Sequence, residues 1–213
     1  MRFAFVVTVA VVCGGTAYAQ APAGSAPMKG YVEANAQSSF GNVTSQSYGG
    51  EIGVNLNRTL QIFVEGGQTR NVATADISSS ALKFAGGLGT GTGFSVKQPV
   101  TFGVVGVRYA IPIEGSKVQP YVLAGGGAAR VEQQATFTVN GVDVTNNLAQ
   151  FGATLGTDLS GSFTKPMVVV GGGLAFPVWQ RVVLDFQVRY GRVLAEDEGI
   201  NITRAGIGFG VRF

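Results

Sequence analysis

Histidine is absent from all 213 residues. Acid–base catalysis near neutral pH draws most often on imidazole, so an enzyme built on this chain would lack its commonest base. Cysteine occurs once, at Cys13, inside an apolar amino-terminal run. Without that run the chain has no disulfide and no thiolate zinc site. Charge is sparse, 13% of residues against about 25% in soluble domains. The 15 basic and 12 acidic side chains are scattered, with no basic stretch interleaved with aromatics, which leaves nucleic-acid binding without support. Long apolar runs are missing too: after residue 19 no window reaches the ~20 residues of a spanning helix. Mean hydropathy is nevertheless positive, +0.28. An apolar chain without spanning helices must close a sheet on itself if it enters lipid, because lipid cannot hydrogen-bond an open backbone.

The amino terminus carries an export pattern. Arg2 supplies a positive start, Phe3 to Val12 is apolar apart from Thr8, and Ala17-Tyr18-Ala19 forms an A-x-A cleavage site. Residues 1–19 therefore read as a secretory signal peptide cleaved after Ala19. Cys13 raises lipoprotein processing as the alternative, but Val12 stands where a small residue is required. Residues 20–28 (QAPAGSAPM) read as a periplasmic leader, and 29–213 as one domain.

Within that domain the pattern has period two, so each strand shows different chemistry on its two faces. The last segment is the clearest: Ala205, Ile207, Phe209, Val211 and Phe213 alternate with Arg204, Gly206, Gly208, Gly210 and Arg212. The second set is too small and too charged for a dry core, whereas lipid on one side and a polar lumen on the other would suit both. Val32, Ala34 and Ala36 alternate likewise with Glu33, Asn35 and Gln37; Ile52, Val54 and Leu56 with Glu51, Gly53 and Asn55; Leu60, Ile62 and Val64 with Gln61, Phe63 and Glu65. A fourth strand is predicted over 99–110, with Arg108 inward. The fifth covers 121–131, with Tyr121, Leu123 and Val131 outward and Arg130 inward. The sixth covers 167–176. The seventh sets Val182, Leu184, Phe186, Val188 and Tyr190 against Val183, Asp185, Gln187, Arg189 and Gly191.

The count is eight. Short, turn-rich reversals near 57–58, 110–120 and 177–180 alternate with long polar stretches at 71–97 and 132–165, which read as external loops. Tyr109, Tyr121, Trp179 and Phe213 would form a lower aromatic girdle, and Tyr48, Phe94 and Tyr190 an upper one. The predicted fold is an all-β, eight-stranded antiparallel up-and-down transmembrane barrel. With the signal peptide, Gly-Val-Arg-Tyr (Gly106 to Tyr109), Gln-Pro-Tyr-Val (Gln119 to Val122) and the terminal Gly-Val-Arg-Phe (Gly210 to Phe213), the chain resembles the small bacterial outer-membrane β-barrel-domain proteins of the OmpA/OmpX and opacity-protein type. The resemblance implies insertion by the barrel-assembly machinery, with Phe213 as its signal, and contact with outer-membrane lipid and lipopolysaccharide. No peptidoglycan-binding domain is carried over. Barrel hydrolases and acyltransferases of that membrane rely on a histidine that is lacking here.

The candidate site is the lumen, where Glu33, Glu51, Glu65 and Asp185 face Arg108, Arg130, Arg189, Arg204 and Arg212. Closure of the last strand on the first should bring Arg212 near Glu33. Charges in so narrow a space need partners, and an eight-stranded barrel has room only for packed side chains. An interior ion-pair network is the expectation, with a gated proton or ion path along the same residues as the alternative. The glycines at 87–93, 125–127 and 171–173 lack the GxxxxGK[ST] spacing of a phosphate loop; those in strands suit tight coiling, and 87–93 reads as flexible loop. Glu196, Asp197 and Glu198 read as solvated charge before a divalent-cation site. A carboxylate pair could serve glycoside chemistry, but such a barrel offers no cleft for a polysaccharide. The expected protein is thus a monomeric, non-catalytic outer-membrane barrel without cofactor or metal. Its external loops would serve a structural or surface-interaction role towards a host or cell-surface ligand. A narrow channel or carrier for small or hydrophobic solutes is the competing reading, and a soluble lipocalin-like barrel a third.

Overall fold

The computed structural model describes residues 29–41, 43–157, 159–195 and 199–213. The signal peptide and leader expected over 1–28, and Glu196, Asp197 and Glu198, lie outside the described residues. Each alternating segment forms a strand: β1 (Gly30–Phe40), β2 (Ser45–Asn55), β3 (Leu60–Thr69), β5 (Val100–Ala110), β6 (Gln119–Val139), β8 (Ser160–Pro177), β9 (Val182–Val193) and β10 (Ile200–Arg212). All pair antiparallel with their neighbours, and β10 pairs with β1 to close an eight-stranded barrel. The seam ends in reciprocal backbone bonds between Gly30 and Phe213, each 3.0 Å. From partner to partner around the wall, Thr164 leads through Arg130, Thr101, Gln68, Tyr48, Ala36, Ile207 and Phe186 to Leu174 on the starting strand, a stagger of ten residues. Such stagger tilts strands by about 40°. Asn57 anchors one tight reversal, its Oδ1 accepting from the amides of Thr59 (2.8 Å) and Leu60 (2.7 Å).

The outward face is the apolar one. Ile52, Val54, Val64, Val105, Val107, Val170, Phe186, Val188, Ile207 and Phe209 are all exposed, a belt of the kind that lipid covers. Tyr48 and Tyr190 are exposed at the outer end, and Tyr109, Trp179 and Phe213 at the short-turn end; Phe94, expected with the outer pair, is instead the ladder partner of the buried Phe137 and shares its inward face.

Both long polar stretches depart from expectation. Residues 71–97 form a helix, α1 (Ala75–Leu88), and a strand, β4 (Thr92–Lys97), in place of a loop. Thr74 caps the helix by accepting from the Ile77 amide (3.4 Å), and Ile77, Ala81 and Ala85 bury one stripe. The glycine-rich run at 87–93, expected as flexible loop, ends α1 and opens β4. β4 continues the β5 ladder on β6 in unbroken register, from Val100↔Val131 to Lys97↔Gln134 and Thr92↔Val139. Residues 132–165 hold the outer half of β6, a two-residue strand β7 (Val142–Asp143), a 3₁₀ turn (Thr145–Phe151) and the start of β8. Asn140-Gly141, with φ of 50° and 81°, makes the β6–β7 reversal as a type I′ turn. These pieces bury a second core of their own. Ile77, Ala81 and Ala85 of α1 pack with Ala135, Phe137, Val144, Leu148 and Leu159, and Phe84 tilts over Phe137 at 4.8 Å between ring centroids. The outer end of the barrel therefore carries a folded cap.

The fifth predicted strand, β6, has the opposite phase to the one expected. Tyr121, Leu123 and Val131 are 3%, 5% and 0% exposed and face inward, while Val122 and Arg130 face outward. Here both faces are apolar, so alternation cannot tell them apart. Inward residues of β5, β6 and β8 join an apolar cluster with Phe63, Val193, Ile200 and Ile202 inside the barrel. One side of the lumen is thus an apolar core, which the terminal strand alone does not suggest.

Candidate functional site

β1, β2, β3, β9 and β10 carry the polar side of the interior. Glu51 and Glu65 are cross-strand partners on β2 and β3, and Arg204 and Arg189 are partners on β10 and β9. Two like-charged pairs facing each other across the lumen relieve their own repulsion by meeting in the middle. Arg189 Nη2 lies 2.6 Å from Glu51 Oε2 and its Nη1 lies 2.7 Å from Glu65 Oε2. Arg204 Nη1 reaches Glu65 Oε1 at 2.8 Å. On the other side Arg108 touches Glu51 Oε1 at 3.4 Å and Asp185 Oδ2 at 2.7 Å. Asp185, Arg108, Glu51, Arg189, Glu65 and Arg204 thus form one chain of alternating sign, each member at most 5% exposed. Three acids and three bases cancel, which is the condition for holding charge away from water.

Aromatic residues brace the chain. The Tyr31 hydroxyl donates to Glu51, and that of Tyr121 donates to Asp185 Oδ2 at 2.8 Å. The Arg108 guanidinium stacks on the Tyr121 ring at 3.4 Å, and that of Arg204 lies 4.2 Å from the Phe102 centroid. Cation–π contact of this kind covers guanidinium faces that carboxylates do not reach. Two glycines make room: a Cβ on Gly53 would enter the Tyr31 ring, and one on Gly208 would meet the Glu33 carboxylate.

Three expected members stand apart. Arg130 points out of the barrel, its side chain 60% exposed and 3.7 Å from Glu132, so it leaves the lumen set. Glu33 meets no arginine within ion-pair distance among the described residues; Gln187 Nε2 donates to its Oε1 at 3.0 Å and to Asn35 Oδ1 at 2.7 Å. Arg212, expected beside Glu33, lies opposite Tyr31 in the ladder and donates to Gln119 Oε1 at 3.0 Å. Both residues do line one cavity of about 20 Å³, room for roughly one water. Tyr31 and Tyr121 are lumen residues that the sequence reading missed. Tyr31 shares the parity of Glu33 and could have been found by extending that alternation one step; nothing in the sequence signals Tyr121.

The cap offers a different surface. Its outward sheet face is polar, with Thr136 and Thr138 of β6 exposed or half-buried beside Asp143. Hydrogen bonds from the Thr145 side chain and backbone hold the Asp143 carboxyl below its usual range.

A family model described as outer membrane protein beta-barrel domain matches residues 7–213. A comparison with curated protein sequences returned no match. Among solved structures the chain is similar to Neisserial surface protein A, at 17% identity and a TM-score of 0.55, covering 87% of this chain and 97% of that one. Ail, the attachment invasion locus protein of Yersinia pestis, is 16% identical with a TM-score of 0.50 over 87% and 99%. A major outer membrane protein from Thermus thermophilus is 11% identical with a TM-score of 0.52 over 88% and 100%. At these identities the likeness is one of fold.

Proposed function

The chain belongs to the outer membrane protein beta-barrel domain family, and from that premise we propose a non-catalytic barrel that works through the folded cap on its outer end. Its role is structural and surface-interacting, towards a host or cell-surface ligand. One observation carries this reading: the outer segments bury a core of their own around Phe137, Leu148 and Leu159. A surface fixed before contact loses less entropy on binding than a flexible loop. The interior supports the same reading, since Arg189, Arg204, Phe63, Met167 and Ile202 fill it with side chains at most 1% exposed. Export by cleavage after Ala19, assembly through Phe213 and a monomeric state complete the proposal.

Attachment, the role in the name of the Yersinia pestis protein, is the activity to assay first. Cells displaying the chain are expected to adhere to cultured epithelial cells or matrix proteins. Cells displaying a barrel with residues 75–97 replaced by a short Gly-Ser linker are expected to lose that adhesion while keeping the mobility shift of a folded barrel. Equal adhesion by both would refute the cap's role. Reproducible openings in planar bilayers, altered by Arg189 or Glu51 substitutions, would favour the narrow-channel reading.

A further inference from the structure

The short-turn end of the barrel carries an uneven charge. Arg58, Lys117 and Arg181 stand exposed, one on each of its three turns, and an exposed Lys29 precedes β1. Arg212 adds a fifth cation at the foot of β10, and Glu114 is the one acidic side chain of these turns. Short turns face the periplasm in outer-membrane barrels, so this end presents a positive field to periplasmic water.

Arg212 differs from the other four. It shares the inward parity of Arg204, Gly208 and Gly210, so it points towards the barrel axis, out of reach of the lipid around the wall. Arg108, Arg189 and Arg204 each hold a carboxylate within 2.8 Å. Arg212, half-buried, holds none within ion-pair distance among the described residues. Its Nη2 donates to Gln119 Oε1 at 3.0 Å, which engages one of the five donors of a guanidinium.

That guanidinium lines an open groove of about 440 Å³, within the roughly 300–1,000 Å³ of small-ligand sites. Ile111, Ile113 and Val118 of the β5–β6 turn form its apolar wall with Pro177 of β8. Ile111 and Ile113 are 39% and 52% exposed. The turn is held in shape from within: the Ile111 amide donates to the Pro120 carbonyl at 2.8 Å, and the Val118 amide to Ser116 Oγ at 3.0 Å. The groove is therefore formed before any ligand arrives, which lowers the entropy lost on binding. Glu114 and Lys117 also line it and cancel in charge, leaving Arg212 as its net charge.

Charge, wall and opening together select the occupant. A carboxylate suits Arg212, because a guanidinium fork engages it through two parallel hydrogen bonds. The wall favours apolar atoms beside that carboxylate, which an inorganic anion lacks. The open side leaves one edge of the occupant in water, which suits a peptide backbone and would expose an acyl chain. We propose that this groove captures the terminal carboxylate of an extended peptide from the periplasm, with Arg212 as the carboxylate's partner and Ile111 and Ile113 against the adjoining apolar side chains. The site is independent of the cap at the other end.

The test uses the full-length barrel in phosphatidylcholine nanodiscs, which leave both ends open to solvent. It is equilibrated with a randomised pool of acetylated tetrapeptides bearing free terminal carboxylates, or with the same pool amidated, and retained peptide is counted by mass spectrometry. The wild type is expected to retain the carboxylate pool roughly tenfold better than the amide pool, the scale of one hydrogen-bonded charge, with apolar residues enriched beside the terminus. R212Q should remove that preference, and Ile113→Ser should lower retention a few-fold. Arg58→Gln, on a neighbouring turn outside the groove, should change neither. The barrel with residues 75–97 replaced by a Gly-Ser linker should retain the peptides as the wild type does. A heat-induced mobility shift verifies that each variant is folded. If R212Q misfolds, R212K and I113S replace it, each expected to lose a few-fold. Equal retention of the two pools by the wild type, an undiminished preference in folded R212Q (or in both replacements), or loss of retention with residues 75–97 would overturn the site.

Discussion

Arg189 holds the centre of the lumen chain, and its removal gives the most demanding test of it. Arg189→Met keeps an unbranched stem of similar length and deletes the group that lies 2.6 Å from Glu51 and 2.7 Å from Glu65. Breaking a buried pair from one side costs about 3–5 kcal/mol, because the remaining charge stays buried. The two orphaned carboxylates are not equivalent. Glu65 keeps Arg204 at 2.8 Å, whereas Glu51 keeps Arg108 only at 3.4 Å together with the Tyr31 hydroxyl. A second change should therefore rescue unequally. Glu51→Gln added to R189M is expected to restore roughly 1–3 kcal/mol, the penalty of an unsatisfied buried group, and Glu65→Gln less. Urea unfolding in phospholipid vesicles would measure this, followed by the mobility difference of folded and heated forms and by fluorescence of Trp179, the chain's one tryptophan. Loss of under about 1 kcal/mol in R189M, the ordinary scale of a point change, would show that the chain contributes little to stability. Better rescue by Glu65→Gln would refute the pairing order.

Three further outcomes are expected. Gly53→Val should impair folding, since its Cβ would occupy the Tyr31 ring, while Gly103→Ala, whose Cβ meets nothing within 4 Å, should leave unfolding within about 0.5 kcal/mol of wild type. Phe137→Ala empties the centre of the cap; a cost of about 3–5 kcal/mol should appear as faster proteolysis within 71–97, with the barrel strands still protected. In intact cells a water-borne thiol reagent should label cysteine at Thr136 and spare cysteine at Val188 and Ile207; free labelling at the latter two would remove the lipid-facing assignment.

Alternation along the chain was enough to specify the barrel, because one-sided burial imposes period two and lipid forbids unpaired backbone. Glu33, Glu51, Glu65, Asp185, Arg189 and Arg204 were legible as lumen residues from parity, since on their strands the opposite face is the apolar one; Arg108 was legible only from its alternation with Val105, Val107 and Tyr109, because the inward face of β5 is otherwise apolar. Who meets whom was not legible. Arg212 sits opposite Tyr31 and leaves Glu33 to Gln187, a result of ladder register and side-chain reach. The phase of β6 depended on tertiary contacts, because Tyr121 and Val122 are both apolar enough for either solvent. Only packing against Asp185 and Arg108 turned Tyr121 inward. The cap was hidden for a similar reason. Its helix and strands are short and polar, and they order by burying Ile77, Ala81 and Phe137 against one another across more than fifty residues of chain, a separation that local periodicity does not register.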